Sequence, residues 1–224
     1  MDGILYVVAT PIGNLSDISE RALETLKRVS FVVCEDTRVT KKLLAHYNIN
    51  VPTLSYHHHS SLQILNSLIG RLKAGEAMAY VSDAGTPGIS DPGGKLVEQA
   101  IANNINVVPI PGPSAVTVAL SVAGLSIQNY LFLGFPPHKK GRQTFFKKIV
   151  ASEYPIIFYE STHRIIKALQ ELGRLMPKRN IVVCRELTKK FETIYRGEPS
   201  EIVNQLNKSS TKGEFVVIVS VNNL

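Results

Sequence analysis

The stretch Ala79-Tyr80-Val81-Ser82-Asp83-Ala84-Gly85-Thr86-Pro87-Gly88-Ile89-Ser90-Asp91-Pro92-Gly93-Gly94 decides how the rest of this chain is read. Its first residues close an apolar run, Ala77 to Val81, suited to a strand buried on both faces. Gly85, Pro87, Gly88, Pro92, Gly93 and Gly94 then make a loop. Glycine lets backbone amides approach a ligand closely, and proline stiffens the chain that carries them. Asp91 followed by Pro92 predicts an N-cap and a first helical residue, so a helix opens there. Strand, glycine loop and helix N-terminus, in that order, is where open α/β sheets bind nucleotide-like ligands. A bare βα connection has the same outline, but the length of this loop and its two carboxylates, Asp83 and Asp91, favour a ligand site.

The same grammar extends outward. Ile4 to Ala9 is a continuous apolar run followed by the loop Thr10 to Leu15, and Asp17 with Glu20 predicts a capping box for the next helix. Phe31 to Cys34 is a strand ending in Glu35-Asp36-Thr37-Arg38. Thr53 to Tyr56 is a shorter one ending in His57-His58-His59. Val107 to Ile110 ends in Pro111-Gly112-Pro113-Ser114, with Ser114 a natural N-cap for the small-residue helix Ala115 to Ala123. This strand–helix alternation predicts a parallel α/β domain whose ligand loops, Thr10 to Leu15, Ser82 to Gly94 and Pro111 to Ala115, converge on one sheet edge. The second half continues with strands at Tyr130 to Phe135, Ile156 to Tyr159, Ile181 to Arg185, Glu192 to Arg196 and Phe215 to Val221. Two α/β domains are therefore expected, at residues 1–115 and 116–224.

Composition narrows the chemistry. The 224 residues are 44% hydrophobic, enough for real cores, and no apolar run reaches the length of a membrane span. The N-terminus lacks the basic region of a signal peptide, and Cys34 and Cys184 each end an apolar run, which reads as buried thiols in a reducing, cytoplasmic compartment. A formal charge of +7 favours a polyanionic partner, nucleic acid first. Lys139, Lys140, Arg142, Lys147 and Lys148, interleaved with Phe145 and Phe146, suit a phosphate backbone or a merely solvated face. Three successive histidines alternate faces on a strand end and make a poor chelate, so no metal is expected. Neither a dinucleotide fingerprint nor a P-loop is present, and Gly-Pro-Ser-Ala around Ser114 is not a nucleophile elbow. A nucleoside ligand without a polyphosphate fits better.

Two further constellations sit at strand ends. Glu35-Asp36-Thr37-Arg38 offers carboxylates to orient or deprotonate a hydroxyl and a guanidinium to hold a phosphate, or simply a helix start with acidic residues favoured by the dipole. Glu160 with His163 and Arg164 repeats that arrangement, with the same two readings.

Ala9 to Leu15, Glu35 to Arg38, Ser82 to Gly93, Pro111 to Ala115 and Phe158 to Arg164 together resemble, in order, the motifs of the RsmI family. These are ribosomal small-subunit RNA (cytidine) 2′-O-methyltransferases within the tetrapyrrole-methylase superfamily. The resemblance covers nearly the whole chain. It implies S-adenosyl-L-methionine held in the cleft between two α/β domains, a homodimer, and methylation of a cytidine ribose in the decoding region of 16S ribosomal RNA. By motif position it assigns the cofactor pocket to Pro11, Asp83, Ala84, Gly85, Gly88, Ser114 and Ala115, with Tyr159 or Glu160 and Leu187 from the second domain. Asp36 or Glu160 is then the expected base, with Arg38 and Arg164 on flanking phosphates. The chain departs from the family at His57-His58-His59-Ser60-Ser61, and it ends at Leu224 where many members continue. A tetrapyrrole-precursor methylase and a non-catalytic RNA-binding module are the alternatives.

Overall fold

The computed structural model describes residues 3–57, 60–91 and 93–221. The chain divides between Ser114 and Ala115 into two units. In the first, β1 (Ile4–Val8), β2 (Phe31–Cys34), β3 (Thr53–Ser55), β4 (Met78–Val81) and β5 (Asn106–Ile110) form one parallel sheet in the order β3-β2-β4-β1-β5. The helices between them are α1 (Glu20–Arg28), α2 (Thr37–His46), α3 (Leu62–Lys73) and α4 (Gly93–Ala102).

Successive strand residues point to opposite faces, and both faces are covered. Phe31, Val33, Met78 and Tyr80 pack with Leu72 of α3 and Leu96 of α4. Val32, Cys34, Ala79 and Val81 pack with Leu26 of α1 and Leu44 of α2. That is why these strands read as unbroken apolar runs. Cys34 and Cys184 are both buried free thiols.

The start of α1 differs from expectation. Ser19 is the N-cap, its hydroxyl accepting from Ala22 N–H at 3.2 Å, while Asp17 ends a short 3-10 turn capped by Asn14. Asp17 and Glu20 have capping-box spacing, but the chain turns once more before the helix begins. His58, His59 and Pro92 lie outside the described residues, as does the helix-opening role expected of Pro92.

The second unit has α5 (Ala115–Ser121), β6 (Leu131–Phe132), α6 (Arg142–Val150), β7 (Ile156–Ser161), α7 (Ile165–Leu175), β8 (Ile181–Arg185), β9 (Thr193–Gly197), α8 (Pro199–Lys208) and β10 (Glu214–Val219). Its sheet runs β6-β7-β10-β8-β9, with β6 parallel to β7 and the other pairs antiparallel. One side of that sheet (Phe158, Val183, Phe215, Val217) packs on Phe146 of α6 and Leu169 of α7.

Candidate functional site

Because β1, β4 and β5 are neighbours and run the same way, the loops that follow them leave the first unit's sheet at one edge. They are stitched together there. Thr10 and Gly85 exchange backbone hydrogen bonds at 3.0 Å in both directions. The buried Thr10 hydroxyl donates to the Ser82 carbonyl at 3.1 Å, and Thr86 Oγ1 donates to the Pro113 carbonyl at 3.0 Å. Gly85 holds a left-handed backbone (φ +84°), and a Cβ on it would meet Ile12 Cγ2 at 3.3 Å and the Pro113 carbonyl at 3.6 Å. All three expected ligand loops thus meet around Gly85.

Asp91 organises the far end of the glycine loop. Its carboxylate accepts from Gly88 N–H at 2.6 Å, Ile89 N–H at 3.2 Å, Gly93 N–H at 2.8 Å and the Tyr80 hydroxyl at 3.2 Å. Tyr80 is fully buried, and a Cβ on Gly93 would fall 2.1 Å from its ring. Pro87 is buried, whereas Asp83, Ala84 and Gly88 are exposed, so the loop is fixed from beneath and presents its outer side. Pro11, Ser114 and Ala115, the remaining expected pocket residues of these loops, are half-buried.

Register brings the end of β2 beside the end of β4, since Cys34 pairs with Val81. Asp36 N–H accordingly donates to Asp83 Oδ1 at 3.1 Å. Asp36 itself caps α2, accepting from Arg38 N–H at 2.8 Å, and is clasped by the Arg38 side chain at 2.7 Å. Those bonds hold its carboxyl down at about 2. Glu35 is different. Burial, then the nearby carboxylates of Asp83 and Asp91, push its carboxyl up to about 7. Asp83 is also raised: partial desolvation outweighs the lowering pull of the Asp36 N–H, and the Asp36 carboxylate adds to the rise.

In the second unit the strand-end group turns inward. The Glu160 side chain has 0% exposure; Oε1 lies 2.9 Å from Arg164 Nε and Oε2 lies 3.8 Å from Arg142 Nη1. Arg142 is buried and also pairs with Glu171 at 3.2 Å, while Arg164 donates to the Pro136 carbonyl at 2.9 Å. Glu160 and Arg164 thus stand in an internal ion-pair network, within which Glu160 Oε2 makes no hydrogen bond. Tyr159 is half-buried between Phe132 and Phe135, with ring centroids 4.9 and 5.3 Å away. Leu187 is buried between Glu186 (φ 53°) and Thr188 (φ 63°), two non-glycine residues in the left-handed region. Such backbones are strained and gather at functional sites.

Sequence reasoning passes over Glu35 in favour of Asp36. The available signal is parity: Glu35 lies two residues beyond Val33, on the side of the sheet that carries Tyr80. No comparable signal exists for Asp91 fastening three backbone amides at once.

Comparison with known proteins agrees with this frame. The sequence profile described as Tetrapyrrole (Corrin/Porphyrin) Methylases matches residues 4–203. The chain is 44% identical over 221 residues to Ribosomal RNA small subunit methyltransferase I of Halalkalibacterium halodurans, covering 98% of this chain and 76% of that one. It is 44% identical over 223 residues to the protein of the same name from Leptospira biflexa, covering 97% and 91%. Among solved structures, uroporphyrin-III C-methyl transferase from Thermus thermophilus, complexed with S-adenyl homocysteine, shares the fold at TM-score 0.67 and 16% identity, covering 98% of both chains. With a two-unit α/β fold, a profile match over nearly its whole length and identity of this extent, the chain belongs to the tetrapyrrole (corrin/porphyrin) methylase family and, within it, groups with the ribosomal RNA small subunit methyltransferases I.

Proposed function

We propose that this protein transfers a methyl group from S-adenosyl-L-methionine to the 2′-hydroxyl of a cytidine ribose in 16S ribosomal RNA, acting in the cytoplasm as a homodimer. The observation that carries the reading is the cross-bonded frame of three strand-end loops around Gly85, in a chain so close to named ribosomal RNA methyltransferases. No helix among the described residues is long and apolar enough to cross a membrane. The net charge of +7 suits RNA better than a carboxylated tetrapyrrole of smaller size.

The residues fit an adenosyl ligand. Asp83 offers an exposed carboxylate fixed by Asp36 N–H, Ala84 and Gly88 expose backbone, and Gly85 keeps the turn free of side-chain bulk. Pro11, Ser114 and Ala115 complete the rim on this reading. Bound there, the sulfonium supplies an already activated methyl group. The protein's share is then to align a ribose oxygen with it, an effect worth about 7–11 kcal/mol.

A ribose hydroxyl is a weak nucleophile, and a positioned base adds about 10²–10⁴-fold. Glu35 takes that part in place of Asp36: near neutral pH it accepts the 2′-hydroxyl proton on its carboxylate as the oxygen–methyl bond forms. Asp36 stays ionised and holds Arg38, whose side chain is 86% exposed and within reach of a flanking phosphate.

Labelled methyl transfer tests the whole reading on purified small ribosomal subunits, naked ribosomal RNA and a uroporphyrinogen. Label on RNA supports it. Label on the tetrapyrrole alone, or none anywhere, refutes it. Light scattering at about twice the chain mass checks the dimer.

A further inference from the structure

Between Leu133 and Ser152 the chain carries Lys139, Lys140, Arg142, Lys147 and Lys148 and no acidic residue. The structure divides these cations into two kinds. Arg142 is 7% exposed and ion-paired with Glu160 and Glu171, its guanidinium standing 5.0 Å from the Phe146 ring centre. Lys139, Lys140, Lys147 and Lys148 are exposed. The buried arginine is a fastening; the loop presents Lys139 and Lys140, and α6 presents Lys147 and Lys148.

The fastening is elaborate for a surface loop. Arg164 grips the loop at the Pro136 carbonyl while bound to Glu160, and Arg142 anchors its other end at the first turn of α6. Gly141 turns in the left-handed region at φ +88°, and Arg142 N–H returns to the Lys139 carbonyl at 3.2 Å. A loop meant only to connect β6 with α6 needs no buried ion pairs, since solvated loops satisfy their backbone with water.

At its entrance stands an aromatic that the core does not take. Phe135 is 51% exposed, although it follows a strand whose backbone continues to pair with β7 through Tyr159 N–H and the Gly134 carbonyl at 3.0 Å. Its ring leans on Tyr159 at 5.3 Å, tilted by 58°, and Tyr159 rests edge-on against Phe132 at 4.9 Å. One half-open ring is thus braced by Tyr159, itself held by Phe132, and exposed Lys139 and Lys140 follow it in the same loop. Exposed rings flanked by cations are how proteins hold unpaired nucleotides, the base on the ring and the phosphates on the charge.

Resting on RNA as the substrate, we infer that Phe135 is a stacking platform for one unpaired base of that RNA, and that Lys139 and Lys140 hold the adjoining phosphates. The surface selects single-stranded RNA over duplex, because a paired base cannot leave its stack to reach the ring without losing that stacking.

The test is binding, so it stands apart from catalysis. Fluorescence anisotropy on the full chain uses a labelled single-stranded RNA of about twelve nucleotides and a hairpin duplex, the former within the span such grooves cover. Phe135→Ala is expected to weaken single-strand binding by roughly 5- to 150-fold, the range for one base–aromatic stack, and to leave the duplex within about twofold. Phe135→Tyr keeps a ring and is expected to restore affinity. Lys139→Ala with Lys140→Ala is expected to lower the slope of log affinity against log salt by about 1.4, while Phe135→Ala leaves that slope alone. Equal thermal midpoints exclude misfolding. The inference is overturned if Phe135→Ala binds the single strand as the parent does, if it loses single strand and duplex equally, or if it only changes self-association. Should the parent bind RNA as described yet methylate none, the platform stands and the proposed reaction falls.

Discussion

Glu35 and Asp36 are adjacent carboxylates of opposite character, one pushed up to about 7 by burial and two acidic neighbours, the other held at about 2 by Arg38. With Glu35 as the base, kcat/KM rises with pH as that carboxyl loses its proton and levels above about 7. Glu35→Gln is expected to lose about 10²–10⁴-fold and to flatten that limb, whereas Asp36→Asn keeps it. A pH–rate profile of the three proteins decides the matter, and an unchanged limb in Glu35→Gln would sink the assignment. Stability has its own sign. The unfolded Glu35 ionises near 4.5 and the folded one near 7, so the parent loses stability as pH climbs between those values and Glu35→Gln does not. At pH 8 the variant is expected to be more stable by about 1–2 kcal/mol, after a discount for solvent screening. Urea midpoints at pH 5 and pH 8 check this. Gly85→Val, by contrast, strains a turn at φ +84° and presses on Ile12. Calorimetry is expected to find no S-adenosyl-L-methionine binding to it, and parental affinity would contradict the site.

At the scale of the element, Asp91 and Glu160 show how much of this site could be read in advance. Asp91 was legible as an anchor before the helix because Asp-Pro ahead of a helical pattern has a local cause, and it accepts from the N–H of Gly93, where α4 begins. Its three amide bonds span residues 88 to 93, and its bond to Tyr80 depends on the loop already being folded. Asp91→Ala is therefore expected to cost about 2–4 kcal/mol and to weaken the methyl donor at least tenfold, whereas Tyr80→Phe costs about 1 kcal/mol. Denaturant midpoints and calorimetry on both variants measure it. Glu160 was not legible. A carboxylate at a strand end looks the same whether it faces solvent or the interior, and its partner Arg142 and that arginine's second partner Glu171 stand far off in sequence. Removing it by Glu160→Ala leaves the part-buried Arg164 guanidinium without its carboxylate and the buried Arg142 with Glu171 alone, an expected loss of about 3–5 kcal/mol in stability. A variant that stays fully stable and loses only turnover would return Glu160 to catalysis. The same limit explains α1: Asp17 and Glu20 had the right spacing, but Ser19 lies closer to where the helix begins.

For the molecule as a whole, the two units were visible because each has its own core and its own pattern of runs. The first reads as continuous apolar strands closed by glycine and proline, which is what a parallel sheet covered on both faces requires. The mixed order of the second, with β10 between β7 and β8, arises from pairings distant in sequence and leaves no local trace. Function followed the same division. The glycine loops announce themselves by composition, while the basic and aromatic surface depends on where charge and rings end up. The most direct measurement incubates the protein with small ribosomal subunits and methyl-deuterated S-adenosyl-L-methionine, digests the RNA to nucleosides and weighs them. Deuterium is expected in 2′-O-methylcytidine and in no other nucleoside. Deuterium on a base, or on the ribose of a different nucleoside, would contradict the proposed reaction.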